Sequence, residues 1–561
     1  MQKLVRILRK PYYIIFFFIF SFAKAQTLTI ESGGETGAAG TNWSLSDSGS
    51  LVTITNTGTA SLSPSVIETA LNQGKDVLVT NANSGEGITI ESSIIKTVAG
   101  TSRLSIKSFT NISISPDVDI KTTNGALDII FWANLNNTQY GGGRIQANVS
   151  LESKGGLIAF AGGVDSDSDD IPDGFARTNG SYGLQIDDGL QVLSGGGDVI
   201  LKGETYSTGT TRRGIYQAGD LTINAGTGSI LMDGKNRSGY GNWSLDLGNS
   251  TVSNLSLISA KPTGDAITLK TSGGRYGIKT SGTAGATMEV KATGGGNILF
   301  QTPHHIQTAD DYTFETVGSG TITFKSKEYI RLGQRNKLQT DNADIVFWTN
   351  STAANNVSGD IHLDDGTSLN TANGSTASDL SGGGNIILAG GADTDNDGYP
   401  DGFAKTNSTY GIQIDTDVKL HSGGGDIVLR GETYSTSTNR HGILQTGNLT
   451  INAGTGSILM DGKNREGYGS YPLQLGNSTV NNLSLISAKP TGDAITIASS
   501  TGRYGSYLGG TAGATMDILA TRGGSIVITA KREVYTTDDY NFQTNGGDIV
   551  MWPNNTGARK G

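Results

Sequence analysis

Along most of the chain the apolar residues come in short alternating runs. A small or polar residue is followed by Ile or Val, then any residue, then a large apolar one. Examples are DVIL (198–201), SILM (229–232), AITL (266–269), NILF (297–300), TITF (321–324), DIHL (360–363), NIIL (385–388), DIVL (426–429) and SIVI (525–528). A period of two is that of a β-strand, whose successive side chains point to opposite faces. The pattern predicts Ile322 and Phe324 inside with Thr323 outside, and Ile361 and Leu363 inside with His362 outside. Ile267, Leu269, Ile427 and Leu429 belong to the same inward set. Glycines usually precede a run, and Gly, Asn, Asp and Ser between runs supply turns. Only SPSVIETALNQGKD, 63–76, reads as a helix, and a short one.

These runs sit inside a long duplication. LTINAGTGSILMDGKNR at 221–237 recurs letter for letter at 449–465, and NLSLISAKPTGDAIT at 254–268 recurs at 482–496, both at an offset of 228. The same offset carries Asp165 to Asp393 and Asp311 to Asp539. Outside that stretch the offset changes. DIIFW (128–132) matches DIVFW (344–348) at 216, and DIVFW matches DIVMW (548–552) at 204. The offset therefore rises by 12 between Trp348 and Asp393, an insertion in the second copy, and falls by 24 between Asp539 and Asp548, a deletion. A clean loss of that size is expected when one turn is removed from a stack of turns, whereas a globular domain would seldom tolerate it. Many short strands with such a repeat predict an all-β, right-handed parallel β-helix rather than an array of sandwiches.

Composition narrows the class. The 561 residues include 82 glycines and only 10 prolines; 35% are hydrophobic, enough for a patterned core. A net charge of −10 argues against a nucleic-acid partner. Lys3, Arg6, Arg9 and Lys10, the apolar run YYIIFFFIFSF (12–22) and the small residues of AKA (23–25) form a secretory signal, with cleavage expected after Ala25. No other segment approaches membrane-spanning length, so no stable span is expected after cleavage. The exported chain has no cysteine, so its stability must come from burial and backbone pairing, with metal a candidate addition.

The GGGDIVL-type strand, LTINAGTGSILM and the signal give the chain a resemblance to the filamentous-haemagglutinin-type secreted bacterial adhesins, whose Gly/Asn/Thr-rich repeats wind as right-handed β-helices. The resemblance covers nearly all of 26–561. It implies a secreted or cell-surface protein with an extracellular glycan, or a host or neighbouring cell surface, as partner. The organisation that follows is a signal peptide at 1–25, a capping region at 26–100, β-helix copies at 101–316 and 317–544, and the start of a third, truncated copy at 545–561.

One short stretch demands its own chemistry. DTDNDGYPDGFA (393–404) gathers four aspartates in a chain with only 16% charged residues, and DSDSDDIPDGFA (165–176) is its counterpart. Asp393, Asp395, Asp397 and Asp401 fall at relative positions 1, 3, 5 and 9, with Gly398 at position 6 and the carbonyl of Tyr399 at position 7. Oxygen ligands at alternate positions around a sharp turn wrap one Ca2+. The stretch resembles the calcium loops of thrombospondin type 3 repeats. It departs from an EF-hand in having Ala404 at position 12. The first loop offers Asp165, Asp167, Asp169 and Asp173, but Asp170 replaces the glycine. Asp187 or Asp415, or water, are candidates for a missing ligand.

Other chemistry is less well supported. A β-helix carbohydrate-active enzyme, a polysaccharide lyase or glycoside hydrolase, is the alternative reading, and it needs convergent carboxylates in a groove. The DDY stretches at 310–312 and 538–540 place adjacent carboxylates on opposite strand faces. The GETYST stretches offer Glu204, Tyr206, Glu432 and Tyr434 on surface loops. His304 and His305 are replaced by Arg532 and Glu533 in the second copy, so the repeat does not require them. Trp132, Trp348 and Trp552 fall at the outward phase, where they either meet sugar rings or pack beneath a loop. No catalytic residue is assigned, and the balance favours a protein that is not an enzyme.

Overall fold

A computed structural model describes residues 27–553, apart from 38, 138–139, 238, 352–358, 373–381, 466–469 and 538. The signal segment, much of the insertion in the second copy and the chain beyond 553 lie outside the described residues.

The alternating runs wind into a parallel β-helix with three strands per turn. Tyr276–Thr280, Thr287–Ala292 and Asn297–Thr302 make one turn; Ile306–Gln307, Tyr312–Thr316 and Ile322–Ser326 make the next. The first strand of each turn joins sheet 1, the second sheet 2 and the third sheet 3. Within each sheet, neighbours are parallel and in register: Ile278 pairs with Ile306, Met288 with Tyr312 and Ile298 with Ile322. Ile306 then pairs with Ile330 and Thr313 with Lys337, so a turn here advances the numbering by 24, the same step that separates Asn297 from its hydrogen-bonded neighbour Thr321. That step is the interval missing from the second copy. Sheet 2 alone counts 15 strands, which at about 4.8 Å per strand makes a rod of about 70 Å.

Register places like on like. Ile267, Leu269, Ile322, Phe324, Ile361, Leu363, Ile427 and Leu429 are all fully buried, as the alternation predicts. Ile298, Ile322 and Ile345 stack as one column of sheet 3, and Phe300, Phe324 and Phe347 as another. Phe300 and Phe324 lie 4.6 Å apart, and Phe324 and Phe347 5.2 Å. Columns of polar residues run through the corners in the same way. Ser153 Oγ donates to the Ser194 carbonyl at 3.0 Å, and Ser194 Oγ to the Ala225 carbonyl at 3.0 Å. Next to them Gly156, Gly197 and Gly228 stack so tightly that a Cβ at Gly197 would lie 1.9 Å from the Gly156 carbonyl, and one at Gly228 2.0 Å from the Gly197 carbonyl. The glycines before each strand are therefore required where one turn's backbone rides directly on the last.

The start of the helix is built differently. Trp43–Asp47 pairs antiparallel with Ala39–Gly40 and with Leu51–Asn56, and only then does sheet 3 become parallel, at Asp76–Asn81. The helix read from 63–76 forms at Pro64–Asn72, with proline at its opening turn, where a missing N–H costs nothing. Ile67, Ala70 and Leu71 face the core. The helix packs on Ile94–Lys96, the edge strand of sheet 2. Glu68 Oε1 accepts the Ile95 N–H at 2.9 Å, and Asn72 Oδ1 accepts those of Thr97 and Val98 at 2.7 and 3.2 Å. An exposed strand edge is a template for unwanted pairing; here helix side chains occupy its donors. Beside it, fully buried Lys96 donates to the carbonyls of Val98, Gly100 and Asn124 at 2.6, 2.7 and 2.9 Å. At the other end, Ile549–Pro553 pairs with Ser525–Ala530, but its apolar side chains are exposed, Trp552 at 60%.

Two tests address this packing. Phe324→Ala empties the middle of the aromatic column and should cost about 3–5 kcal/mol, whereas Thr323→Ala, on the outer face, should stay within about 0.5 kcal/mol; urea unfolding followed by circular dichroism measures both. The second concerns His441, which is buried on sheet 1 and hydrogen-bonded through Nδ1 to the Tyr471 carbonyl at 2.9 Å. Burial pushes its pKa down to about 4. Because this lies below the unfolded value, the unfolded chain binds more protons between about pH 4 and 6.5. The stability tied to the neutral ring is complete above about pH 6.5 and is lost as the pH falls through about 4, a change of about 3 kcal/mol. His441→Gln should flatten that part of the stability–pH curve relative to the parent protein.

Candidate metal-binding loops

Two turns carry the aspartate loops. Ile158 pairs with Val199, and Ile386 with Ile427, an advance of 41 like that between the bonded pair Asn385 and Asp426. The turns that follow, Val199 to Ile230 and Ile427 to Ile458, advance by only 31, as do the bonded pairs Asp198 with Ser229 and Asp426 with Ser457. The extra residues leave sheet 3 as the aspartate loops. Each loop is pinched at its base, where Gly162 bridges Gly174 and Gly390 bridges Gly402 in antiparallel fashion. A Cβ at Gly390 would lie 2.5 Å from the Phe403 carbonyl, so only glycines bring the two strands of the neck this close. The chain then rejoins sheet 3 at Ala176–Thr178 and Ala404–Thr406, beside Gly203–Thr205 and Gly431–Thr433.

Inside the second loop the first aspartate organises the backbone. Asp393 Oδ1 accepts the Asp397 N–H at 3.2 Å, and Asp393 Oδ2 accepts that of Gly398 at 3.0 Å. Asp401 closes the ring by accepting the Thr394 N–H at 2.6 Å. The first loop matches it. Asp165 Oδ1 accepts the Ser168 N–H at 2.7 Å, its Oδ2 that of Asp170 at 2.9 Å, and Asp173 that of Ser166 at 2.7 Å. Position 6 takes the left-handed conformation in both, with φ of +91° at Gly398 and +64° at Asp170. Aspartate is one of the few side chains that tolerates it, so the missing glycine does not change the turn.

Carboxylate oxygens of Asp393, Asp395 and Asp401 lie within 4.8 Å of one another, as do those of Asp165, Asp167 and Asp173. Asp397 and Asp169 fall outside these sets. Each instead accepts a backbone N–H within the loop, from Tyr399 at 2.9 Å and from Ile171 at 2.8 Å. Desolvation and the charges of Asp169 and Asp173 raise the Asp167 pKa. At Asp395 the Asp397 N–H works against the shift, but desolvation and the charges of Asp397, Asp401 and Asp393 raise it. The middle carboxylate of each set thus carries the repulsion that a cation would relieve. Asp187 and Asp415 are engaged on sheet 1, with Arg144 at 2.8 Å and His362 at 2.7 Å.

The loops lie over the outward tryptophans. Trp348, only 7% exposed, forms a small apolar cluster with Val346, Ile387 and Ala389, outside the main core and packed against Tyr399 and Val428. Its indole N–H donates to the Gly391 carbonyl at 2.7 Å, and Lys325 Nζ sits 3.5 Å from its ring centroid. The Tyr399 hydroxyl donates to Asp344, and burial with that contact pushes its pKa up to about 12. Arg430 donates to the Asp401 carbonyl at 3.1 Å. In the first copy Trp132 donates to the Gly163 carbonyl at 2.7 Å beneath Lys107, which also pairs with Asp170 at 3.4 Å. Trp132 and Trp348 therefore face outward but are covered; of the three, only Trp552 is exposed. The alternation gave their direction, while the covering loop gave no signal in their own strands.

The other candidates are tied into the surface. Glu204 is buried between Arg177 at 3.1 Å and Lys235 at 3.2 Å; its counterpart Glu432 lies 3.8 Å from Lys405. The rings of Tyr206 and Tyr434 carry Arg177 and Lys405 at 4.2 and 4.4 Å. His304 and His305 share Glu328, at 3.5 and 2.8 Å; desolvation opposes the charge there, but the two histidines hold Glu328 down at about 2. Asp310 and Asp311 both pair with Arg335, and Asp538 lies outside the described residues. The sequence reading missed one grouping, His362 with Asp364 and Asp415 on sheet 1. Comparison with known family models and with curated proteins finds no match.

Trp348→Phe keeps an aromatic six-membered ring but removes the five-membered ring with its N–H donor. It should weaken the attachment of the second loop by about 1 kcal/mol and speed proteolysis within 393–401, with the first loop and global unfolding unchanged.

Proposed function

We propose that the protein is a secreted or cell-surface, adhesin-like structural and binding protein whose two aspartate loops each hold a calcium ion. The observation that carries the calcium reading is the convergence of three carboxylates in each loop on a backbone already folded around the first aspartate. Oxygen-only donors on a flexible turn suit Ca2+ rather than a softer ion. Asp165, Asp167 and Asp173 would hold one ion and Asp393, Asp395 and Asp401 the other, with Asp169, Asp397 and the Tyr399 carbonyl available to complete the shells. Calcium would supply charge neutralisation and pin a loop that departs from the rod. The adhesin reading is supported by the long exposed flanks of the parallel β-helix and by its resemblance to secreted β-helix adhesins; a glycan or cell-surface partner follows from it. The alternative, a β-helix polysaccharide lyase or glycoside hydrolase, needs convergent carboxylates in a groove. A cavity of about 420 Å3 over sheet 1, which Arg144 and Tyr182 help to line, has none, while one of about 290 Å3 near the first aspartate loop holds Asp76 and Asp170 with Arg103 and Lys107.

Calorimetry should find two Ca2+ sites. An ion that binds only the ordered loop adds about 2.7 kcal/mol at a hundredfold excess over its dissociation constant. EDTA should make 165–173 and 393–401 protease-sensitive while the far-UV β signal persists, because each turn leans mainly on its neighbours. Asp395→Ala should reproduce this at the second loop alone. No heat of binding at millimolar Ca2+ would return the loops to solvated acidic turns. On a glycan array the adhesin reading expects retention without product release.

A further inference from the structure

Sheet 1 carries a second donor cluster of different chemistry, separate from the aspartate loops. Ile361–Leu363 pairs with Tyr410–Ile414 in the register Ile361 with Ile412, His362 with Gln413 and Leu363 with Ile414. His362 and Asp364 are two apart and share the outer face, and Asp415, following Ile414, lies beside Asp364. One donor atom from each of His362, Asp364 and Asp415 lies within 4.8 Å of the other two, and His362 Nε2 is 2.7 Å from Asp415 Oδ2. All three side chains are half-buried.

The duplication supplies an internal control. In the first copy Gly143–Ile145 pairs with Leu184–Ile186 in the same register, placing Arg144 where the second copy has His362 and Gln146 where it has Asp364. Arg144 grips Asp187 through Nε at 3.0 Å and Nη2 at 2.8 Å. Behind it the supports are the same: Gln185 donates to Asp187 Oδ1 at 2.6 Å, and Gln413 to Asp415 Oδ1 at 2.8 Å. The second copy has thus exchanged a permanent cation and a neutral amide for an imidazole and a second carboxylate. Asp364 has no cationic side chain within ion-pair distance among the described residues. With the imidazole neutral, the three groups carry two negative charges where the first copy's pair is balanced; Arg331, beside His362 in register where the first copy has Ser113, is paired with Asp360 at 3.6 Å. Thr446 adds a further donor to Asp415 Oδ1 at 2.9 Å, leaving Oδ2 turned toward His362. Carboxylates held from behind in this way are typical of metal ligands.

We propose that His362, Asp364 and Asp415 form a site for one divalent transition-metal ion of the zinc class, with His362 Nε2 and one oxygen from each carboxylate as ligands. One nitrogen and two oxygens suit a borderline ion, and three protein ligands on an open face leave a position for water or a partner's donor. A divalent ion cancels the two carboxylate charges. On binding, His362 Nε2 gives up the proton it donates to Asp415, the neutral ring then carrying its proton on Nδ1, and turns its lone pair to the metal.

The test is equilibrium dialysis of the untagged full chain with Zn2+ in saturating Ca2+, which occupies the aspartate loops, and Co2+ absorption as a second readout. The parent protein should bind one more equivalent of Zn2+ than His362→Arg/Asp364→Gln, which rebuilds the first copy's ion pair and should fold normally. Gln413→Ala should weaken binding about tenfold to a hundredfold while leaving all three ligands in place. Equal Zn2+ uptake by the parent and the double variant, or no uptake by either, would overturn the site and leave His362–Asp415 as an ion pair standing in for Arg144–Asp187. Calcium binding by the loops is measured separately, so either result leaves that reading untouched.

Discussion

Each turn of the helix must match the turn below it, residue for residue, at the spacing of one backbone hydrogen bond. Parallel pairing sets that distance, and the two-residue alternation decides which side chains meet. A column of isoleucine or phenylalanine is stable because every member has an equal above and below. The constraint also fixes where change is allowed. A single extra residue in a strand would move the inward side chains beyond it to the wrong face unless a bulge absorbs it, as Ala266 does between Asp265 and Ile267; longer insertions leave at a corner. The aspartate loops do this, each departing through a neck of glycines and returning to the same sheet.

That constraint explains what the sequence makes legible. Ile322 and Phe324 could be placed from one strand alone, because inward and outward depend only on parity. The deletion between Asp539 and Asp548 could be read as a turn because removing a whole turn leaves all other pairings intact. The direction of Trp348 was equally readable. Its cover was readable only as one of two choices, packing beneath a loop, and the structure bears that one out for Trp348 and Trp132; which residues supply it was not readable, because they arrive from 391–399 and nothing in DIVFW encodes that return. The roles within the loops were partly legible. The spacing located the aspartates, but Asp397 and Asp169 turn to backbone donors, a choice set by local φ and ψ. His362 and Asp415 stand far apart in the chain, across the enlarged turn of the second copy; their meeting depends on register, which no local motif displays.

The duplication lets one position be seen in two chemical states on one scaffold. Gly398 and Asp170 adopt the same left-handed turn with different side chains, so the backbone of the loop dictates the conformation there. Arg144 and His362 occupy the same place on sheet 1 and meet the same carboxylate, yet only one of them holds a permanent charge. The first comparison shows the fold tolerating a substitution. The second shows the surface changing its electrostatic character while the residues beneath stay apolar, Gly143 and Ile145 giving way to Ile361 and Leu363.

The turn-to-turn hydrogen bonds also run along the axis of the rod, which matters for a molecule under mechanical load. A pull from end to end tests these bonds one strand at a time, in the manner of a zipper, rather than sharing the force across many bonds in shear. A coil such as that from Ile298 to Ile322 releases about 80 Å of extended chain when it peels away. Pulled in this way, such a rod would yield in steps, each coil lengthening by many times the thickness of a turn while the coils still stacked keep their shape.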